Sequence, residues 1–141
     1  MDDMSTVRSP LASLLVMDTN PQPTLKIMSW NVAAWATTCK LIVEHYGSVD
    51  AWLQHHGVDI LCLQEVKYTQ KTFDADIRAT GARAQGWESA WSLSRPPSQR
   101  LGMDGVATFC RTGRMQAADA AALGSIALDC EGRCVYTDHG A

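Results

Sequence analysis

The sequence predicts an α/β domain organised around a single strand–helix–strand unit. Apolar runs at residues 25–30 and 59–64 have the length and composition of strands, and a helical pattern occupies residues 36–56 between them. Because such a crossover makes its two strands parallel, the polar residues that close them, Asn31 and Glu65, are expected at one edge of the sheet. That edge, at the carboxyl ends of the strands, is where open α/β sheets bind ligands.

The bulk composition is that of an ordinary globular protein and fits one domain. The 141 residues are 46% hydrophobic and 19% charged, and the formal net charge is −3. This balance gives no electrostatic sign of nucleic-acid binding, although a local basic rim can still supply it. The five cysteines lack the dense spacing of a disulfide scaffold, which favours a reducing compartment. No run approaches the roughly 20 apolar residues of a membrane span.

Residues 1–24 are interpreted as a mobile leader, and residues 25–141 as the folded part of the chain. The leader ends in a stretch with two prolines, Pro21 and Pro23, which interrupt regular structure. Its first residues are acidic, and its short apolar patch is followed by Asp18 rather than by a small-residue cleavage site. A secretory signal is therefore not expected.

The helical region between the first two strands is predicted to contain two helices. Gly47 and Ser48 interrupt the pattern, and Ser48 is a suitable N-cap for the second helix. The second helix has an apolar-leaning face at helical spacing, formed by Val49, Trp52, Leu53 and His56. Gly57 is a natural residue for the end of that helix, so the next strand is expected to begin shortly after it.

Beyond the second strand the pattern predicts more strands, one short helix and one undecided segment. The short helix is expected at residues 74–80, with Gly81 as its end, and residues 94–103 are expected to form a loop. Strands are expected at 87–93, 104–111 and 133–138. For the Ala-rich residues 112–124 the pattern does not separate loop from helix.

Glu65 and Asn31 are the candidate catalytic groups. A carboxylate at the end of a buried strand can bind Mg²⁺, which prefers oxygen ligands and takes few of them from the protein. Each residue taken alone is more often ordinary, either a solvated glutamate or an asparagine that bonds its local backbone. Gln64 would point to the opposite face from Glu65 and is interpreted as structural.

Basic residues close to the predicted strand ends are candidate phosphate contacts. Lys67 lies two positions after Glu65, and Arg111 closes a later predicted strand. Arg95 and Arg100 flank a loop with two prolines and are weaker candidates for contact with a DNA backbone. Each of these side chains is more often a solvated surface charge, so the substrate-binding prediction rests on Lys67 and Arg111.

Four segments together resemble the endonuclease/exonuclease/phosphatase superfamily, and within it the exonuclease III branch of abasic-site (AP) endonucleases. The two most specific are residues 26–31, KIMSWN, and 59–67, DILCLQEVK. Residues 102–111, GMDGVATFCR, are similar to a Gly-Tyr-Ser-Gly-Val-Ala segment of that branch, and 131–136, EGRCVY, to its Glu-Gly-Arg strand. The wording GVATFC within the third segment is most similar to the AP endonuclease 2 type.

This resemblance implies a fold, a reaction and a place of action. The fold would be part of a four-layer αββα sandwich with a mixed sheet. Glu65 would be the metal-binding glutamate, and Asn31 the active-site asparagine that helps to orient a catalytic carboxylate and the phosphate, close to the metal. The activity would be hydrolysis of DNA at abasic sites or 3′ ends with Mg²⁺ or Mn²⁺, as in base excision repair. The expected location is the nucleus, with the mitochondrion as an alternative.

The chain departs from the family pattern in two local positions and in length. Ala33 and Ala34 stand where the family usually has a polar residue and glycine, and Met103 stands in place of tyrosine. The family domain is about twice as long, and its second half carries the water-activating aspartate, a phosphate-binding asparagine and a histidine. The chain therefore resembles a truncated N-terminal half, and we expect it to be inactive or nearly so when isolated.

Two alternatives remain open from the sequence. One is another phosphodiesterase or phosphatase of the same superfamily that acts on RNA or on small phosphoesters. The other is a non-catalytic truncated product that binds a partner or nucleic acid without hydrolysing it, which the missing second half and Ala33 favour.

Overall fold

The computed structural model describes residues 24–140, which contain six strands and four helices. In chain order these are β1 (Ile27–Asn31), α1 (Trp35–Tyr46), α2 (Val49–His56), β2 (Ile60–Gln64), α3 (Gln70–Ala75), β3 (Trp87–Ser92), β4 (Val106–Arg111), β5 (Ala117–Asp119), α4 (Ile126–Asp129) and β6 (Tyr136–Asp138). Apart from Thr24, the predicted mobile leader lies outside the described residues. None of the helices in this range combines the length and apolar character that crossing a bilayer requires.

The main sheet has four strands in the order β1-β2-β4-β3, and it is mixed. β1 and β2 are parallel, with Ile27 opposite Ile60 and Asn31 opposite Gln64. β4 is antiparallel to both of its neighbours, β2 and β3. The prediction of an α/β fold with a parallel first pair and a mixed sheet is confirmed, and the crossover between the two parallel strands consists of α1 and α2.

The two crossover helices are separated where the sequence indicated. The Ser48 side chain accepts a hydrogen bond from the Ala51 backbone N–H at 3.1 Å, which caps α2. Gly57 adopts a left-handed conformation at φ 61° and ends the helix by donating its N–H to backbone carbonyls of the last turn. The chain then reaches β2 within three residues, so the helix pair directs β2 alongside β1.

The hydrophobic core lies between these helices and one face of the sheet. Trp35 and Leu53 on the helices and Leu61 and Phe109 on the sheet are all fully buried. The Trp35 and Phe109 rings pack with centroids 6.0 Å apart, and the Trp35 Nε1–H donates to the Thr80 backbone carbonyl at 2.6 Å. Burying side chains of this size contributes about 2–3 kcal/mol each, so the start of α1 is firmly attached to β2 and β4.

The opposite face of the sheet is less completely covered. Ile27 and Ser29 of β1 are exposed on it, and Cys62 and Gln64 of β2 are half-buried. Part of this face is covered by the chain that follows β4, because the Ser92 hydroxyl donates to the Ala120 backbone carbonyl at 3.1 Å. The most open part of the sheet is therefore the edge formed by β1.

Three predicted elements differ from those observed. The short helix spans Gln70–Ala75 rather than residues 74–80. It begins earlier because Thr69 and Thr72 form a reciprocal capping box, and it ends well before Gly81. The undecided residues 112–124 contain the short strand β5. The last predicted strand is shorter than expected, and β6 pairs with β5 instead of with the main sheet.

The five cysteines are all free thiols. Burial, together with the nearby charge of Asp76, raises the pKa of Cys39 to about 11. Burial and the hydrogen bond to Glu88 raise the pKa of Cys110 to about 12. Both thiols are therefore protonated at neutral pH and act as small core groups rather than as nucleophiles.

Among the described glycines, Gly132 makes the tightest contact with backbone atoms, and its replacement is expected to destabilise the protein. A Cβ there would lie 2.6 Å from the Leu93 carbonyl carbon and 2.7 Å from the Ser94 nitrogen, at a φ of +72°. Gly132→Ala should lower the free energy of unfolding by about 2–5 kcal/mol, from left-handed strain plus overpacking against backbone. Gly113→Ala is the control, because φ is +81° but no atom lies within 4 Å, and it should lose only about 1–2 kcal/mol. Equal losses in urea denaturation would contradict the packing argument.

Glu88 should make the stability fall on the acid side of neutrality. The Met115 backbone N–H donates to Glu88 Oε1 at 2.6 Å and lowers the pKa of Glu88 below its ordinary value of 4.5. Because the folded pKa is the lower one, this stabilisation is complete above the ordinary value and is lost as pH falls through the folded pKa. Urea denaturation at a series of pH values across that range should show that the free energy of unfolding of Glu88→Gln depends less on pH. Glu44→Gln, on the exposed side of α1, should leave this pH dependence unchanged. An unchanged pH dependence in Glu88→Gln would refute the linkage.

Candidate active site

Asn31 and Glu65 are hydrogen-bonded at the carboxyl ends of the two parallel strands. Asn31 is the last residue of β1, and Glu65 follows the last residue of β2. The Asn31 Nδ2 donates to Glu65 Oε1 at 2.7 Å. The juxtaposition that the strand–helix–strand pattern predicted is therefore present, while the chemical roles of the two residues stay predictions.

The backbone after β2 is shaped to present Glu65. Glu65 and Lys67 both have left-handed conformations, at φ 54° and 58°, whereas Val66 between them is buried. The Val66 N–H donates to the Gly105 carbonyl at 3.0 Å, and the Lys67 N–H donates to the Asp104 carbonyl at 2.9 Å. A left-handed non-glycine residue costs about 1–2 kcal/mol, and such strained positions cluster at functional sites. The loop before β4 therefore holds the backbone of residues 65–67 in a conformation that it would not adopt by itself.

The Asn31 amide is fixed at both of its polar atoms. Its Oδ1 accepts a hydrogen bond from the Ala33 N–H at 3.1 Å, while its Nδ2 donates to Glu65. Since an ionised carboxylate can only accept hydrogen bonds, this is the orientation that suits the pair. In this arrangement Asn31 positions the Glu65 carboxylate, and its expected contact with a metal stays a prediction.

Glu65 is also the acidic partner of Lys67. The Lys67 Nζ lies 3.6 Å from Glu65 Oε2, and the two side chains are 36% and 43% exposed. Ion pairs of this exposure contribute little to stability, about 0–1 kcal/mol, so the contact can break when another cation approaches. One partly exposed carboxylate held by an amide fits Mg²⁺, which keeps several waters and takes one or two carboxylates from a protein. Residues 24–140 contain no cluster of three or more His, Cys, Asp or Glu side chains arranged to hold a metal ion.

A group of arginines lies beside this edge and was only partly anticipated. Arg100 Nε bonds Asp104 Oδ2 at 2.8 Å, and an Arg133 nitrogen lies 3.6 Å from the same oxygen. Arg133 is also paired with Glu131. The Arg100 hydrogen bond holds the pKa of Asp104 below its usual range. Because the Asp104 carbonyl binds the Lys67 N–H, this ion-paired cluster is next to Glu65. Sequence reasoning named Arg100 but not Arg133, although the EGR segment contained it.

Arg111 lies away from the Asn31–Glu65 pair, and its predicted contact with substrate stays a prediction. It is the last residue of β4, which is antiparallel to β2, and so it lies at the opposite end of the sheet from Glu65. Its Nε is 3.6 Å from Asp59 Oδ1, and its guanidinium lies 5.0 Å from the Trp87 ring. Of the two residues predicted to bind substrate, only Lys67 is beside Glu65.

Introducing a glycine into the turn that follows Asn31 should stabilise the protein. Ala33 has φ 55°, a left-handed conformation that glycine adopts without strain. Ala33→Gly should raise the free energy of unfolding by about 0.5–1 kcal/mol. The substitution relieves about 1–2 kcal/mol of backbone strain, and the greater conformational entropy of glycine in the unfolded chain offsets part of that gain. Ala36→Gly, in the first turn of α1, should lower it by about 0.5–1 kcal/mol. The same sign for both variants in urea denaturation would contradict this account.

Comparisons with known proteins show the family to which the chain belongs. The family model of the endonuclease/exonuclease/phosphatase family matches residues 28–121. The chain is 31% identical over 138 residues to DNA-(apurinic or apyrimidinic site) endonuclease 2 of Xenopus laevis, with 82% of this chain and 24% of that protein aligned. It is 28% identical over 144 residues to the Homo sapiens protein of the same name, with 82% of this chain and 26% of that protein aligned. The chain thus spans about a quarter of the length of these relatives.

Two solved structures are similar to the fold. The catalytic domain of Xenopus laevis APE2 matches with a TM-score of 0.55 and 30% identity, covering 79% of this chain and 38% of that one. The AP endonuclease LMAP from Leishmania major matches with a TM-score of 0.57 and 26% identity, covering 85% of this chain and 37% of that one. The observed fold therefore corresponds to part of an AP endonuclease domain. The family match includes β1, β2 and both members of the Asn31–Glu65 pair, and the chain belongs to the endonuclease/exonuclease/phosphatase family.

Proposed function

We propose that this chain carries the metal-binding and phosphate-positioning part of a DNA-repair nuclease similar to AP endonuclease 2. The reaction would be Mg²⁺- or Mn²⁺-dependent hydrolysis of a phosphodiester at abasic sites or at the 3′ ends of DNA, and the location would be the nucleus. The observation that carries the proposal is the 2.7 Å hydrogen bond between Asn31 and Glu65 at the ends of two parallel strands. Membership of the family and the likeness to AP endonuclease 2 support it.

Glu65 would hold the cation, and Asn31 would hold Glu65. A bound Mg²⁺ supplies stabilisation of the charge that develops on the phosphate or on the leaving oxygen. The Asn31 amide keeps one carboxylate oxygen in place, so the other oxygen, now 3.6 Å from Lys67, is the one available to a cation. Residues that orient a metal ligand in this way typically change affinity or activity about 10–100-fold when removed.

Lys67 would change partners when substrate arrives. With no cation bound, its ammonium balances the Glu65 charge across 3.6 Å. A divalent cation at Glu65 would repel Lys67, and a DNA phosphate is the natural acceptor for the displaced ammonium. Arg100 and Arg133 are each ion-paired with Asp104 or Glu131, so they would contact a DNA backbone only by exchanging those acidic partners for phosphates.

The hydrolytic step would need groups beyond those found beside Glu65. Residues 24–140 hold no cluster of three potential metal ligands, and the nearby carboxylate Asp104 is already paired with Arg100 and Arg133. An aspartate that activates water, the role expected from the family resemblance, would therefore have to come from a longer protein. The 141-residue chain by itself would bind DNA weakly and cleave it little.

DNA incision assays on the 141-residue chain and on a longer protein that contains its sequence would test this function. Labelled duplex DNA with one abasic site should be cut in Mg²⁺ by a longer protein that contains this sequence, and little or not at all by the 141-residue chain. In the longer protein, Glu65→Gln should reduce the incision rate at least about 100-fold, because the cation loses its carboxylate ligand. Asn31→Ala should reduce it about 10–100-fold, because the Glu65 carboxylate is no longer held in its orientation. Glu44→Gln, an exposed carboxylate on α1, is the matched control.

The other outcomes of these assays would decide against the proposal. Full Mg²⁺-dependent incision by Glu65→Gln would remove Glu65 from the metal site. Cleavage of RNA or of small phosphoesters in preference to abasic DNA would favour another activity of the same superfamily. Metal-independent DNA binding by the chain, with no cleavage in any longer form, would favour a non-catalytic binding product.

A further inference from the structure

A second site of different character lies at the other end of the main sheet. A cavity of about 300 Å³ opens where β1 and β2 begin and β4 ends, beside Ile60, Arg111 and Arg114. From Ile60 to Glu65 the chain advances five residues, about 16 Å at about 3.3 Å per strand residue. The cavity is therefore separate from the Asn31–Glu65 pair, and nothing proposed for that pair depends on it.

The charges around this cavity are predominantly positive. Arg111 and Arg114 both line it, and Asp59 is the single carboxylate among the described residues that line it. Asp59 is already occupied, because Oδ2 accepts the Lys26 backbone N–H at 2.9 Å and Oδ1 lies 3.6 Å from Arg111. Arg114 forms no salt bridge with any acidic side chain in the described part of the molecule. One guanidinium is thus left to balance an anion supplied from outside.

His139 also lines this cavity. Its Nε2 lies 3.0 Å from the Thr137 hydroxyl, within hydrogen-bond distance. Within residues 24–140, its Nδ1 is the one buried side-chain nitrogen or oxygen that has no hydrogen-bond partner. Because Nδ1 is shielded from solvent, a ligand in the cavity would meet another part of the ring, and the groups left to bind an anion are the two guanidinium groups.

The remaining wall of the cavity is apolar. Ile60 and Leu25 both line it, and Leu25 is 63% exposed. Water occupies about 30 Å³ per molecule in the liquid, so a volume of this size takes about ten water-sized groups, which is more than an inorganic phosphate ion fills. The ligand that fits such a wall has an anionic end for the guanidinium groups and a larger, partly apolar body.

We propose that this cavity binds a phosphomonoester on a nucleoside-sized body, with Arg114 and Arg111 on the phosphate and Leu25 and Ile60 against the base or sugar. A planar guanidinium with several donors matches the oxygens of a phosphate, and charge-assisted hydrogen bonds are the stronger ones. The same phosphate chemistry is presented by a free nucleotide and by a DNA backbone. The partly apolar wall beside the arginines favours the free nucleotide, whose base or sugar it can cover.

Calorimetric and NMR titration of the 141-residue chain would test the proposal. Deoxyadenosine 5′-monophosphate should bind with saturation at millimolar concentration or below, inorganic phosphate should bind more weakly, and deoxyadenosine should not saturate. Arg114→Gln should weaken nucleotide binding about tenfold or more, the loss expected for one charge-assisted contact. Arg78→Gln, which removes the same charge from an exposed site after α3, should leave it unchanged.

Each alternative result overturns the proposal. Equal weakening by Arg78→Gln would reduce the effect to net charge, and an absence of nucleotide binding at millimolar concentration would leave the cavity without this ligand. Saturation by a short DNA duplex but not by the nucleotide would assign the arginines to a DNA backbone instead. Because the titration needs no cleavage and no metal, its failure would not bear on the function proposed for Glu65.

Discussion

The parallel pairing of β1 with β2 is the constraint on which the candidate site depends. The α1–α2 crossover returns the chain to the same end of the sheet from which β1 started, and the register then sets Asn31 opposite Gln64. Glu65 lies one residue farther along, within hydrogen-bond reach of the Asn31 amide. Trp35, fully buried against Phe109 and bonded to the Thr80 carbonyl, fixes the first turn of α1 to that sheet. Core packing and site geometry are therefore consequences of one topological choice.

Local strain is concentrated where this topology meets the candidate chemistry. Ala33, Glu65 and Lys67 are the three non-glycine residues with positive φ among those described, and all three adjoin the Asn31–Glu65 pair. Hydrogen bonds from the Val66 and Lys67 N–H groups to the loop before β4 hold the backbone at Glu65 and Lys67, whereas the Ala33 N–H donates to the Asn31 side chain. The surrounding sheet thus maintains an arrangement that the isolated segments would not keep.

The sequence was sufficient for features that depend on local patterns and insufficient for those that depend on strand direction. The Asn31–Glu65 juxtaposition followed from a strand–helix–strand pattern, whose handedness and direction are strongly constrained. The distance of Arg111 from Glu65 could not be predicted from the sequence, because a strand end carries no sign of which end of the sheet it occupies, and β4 proved antiparallel to β2. The earlier start of α3 was readable from Thr69 and Thr72, whereas the pairing of β5 with β6 required three-dimensional information.

Asn31 lies on an exposed edge strand of the main sheet. β1 is an edge strand with a single hydrogen-bonded neighbour, and its Ile27 is 61% exposed. Amide protons on such a strand exchange through small local openings rather than through global unfolding. The fraction of molecules with an ordered Asn31–Glu65 pair then depends on the fraction in which β1 is paired with β2. Any molecule that covers β1 would raise that fraction without touching either residue. The proportion of molecules with an ordered site would then depend on contacts made along the outer edge of β1.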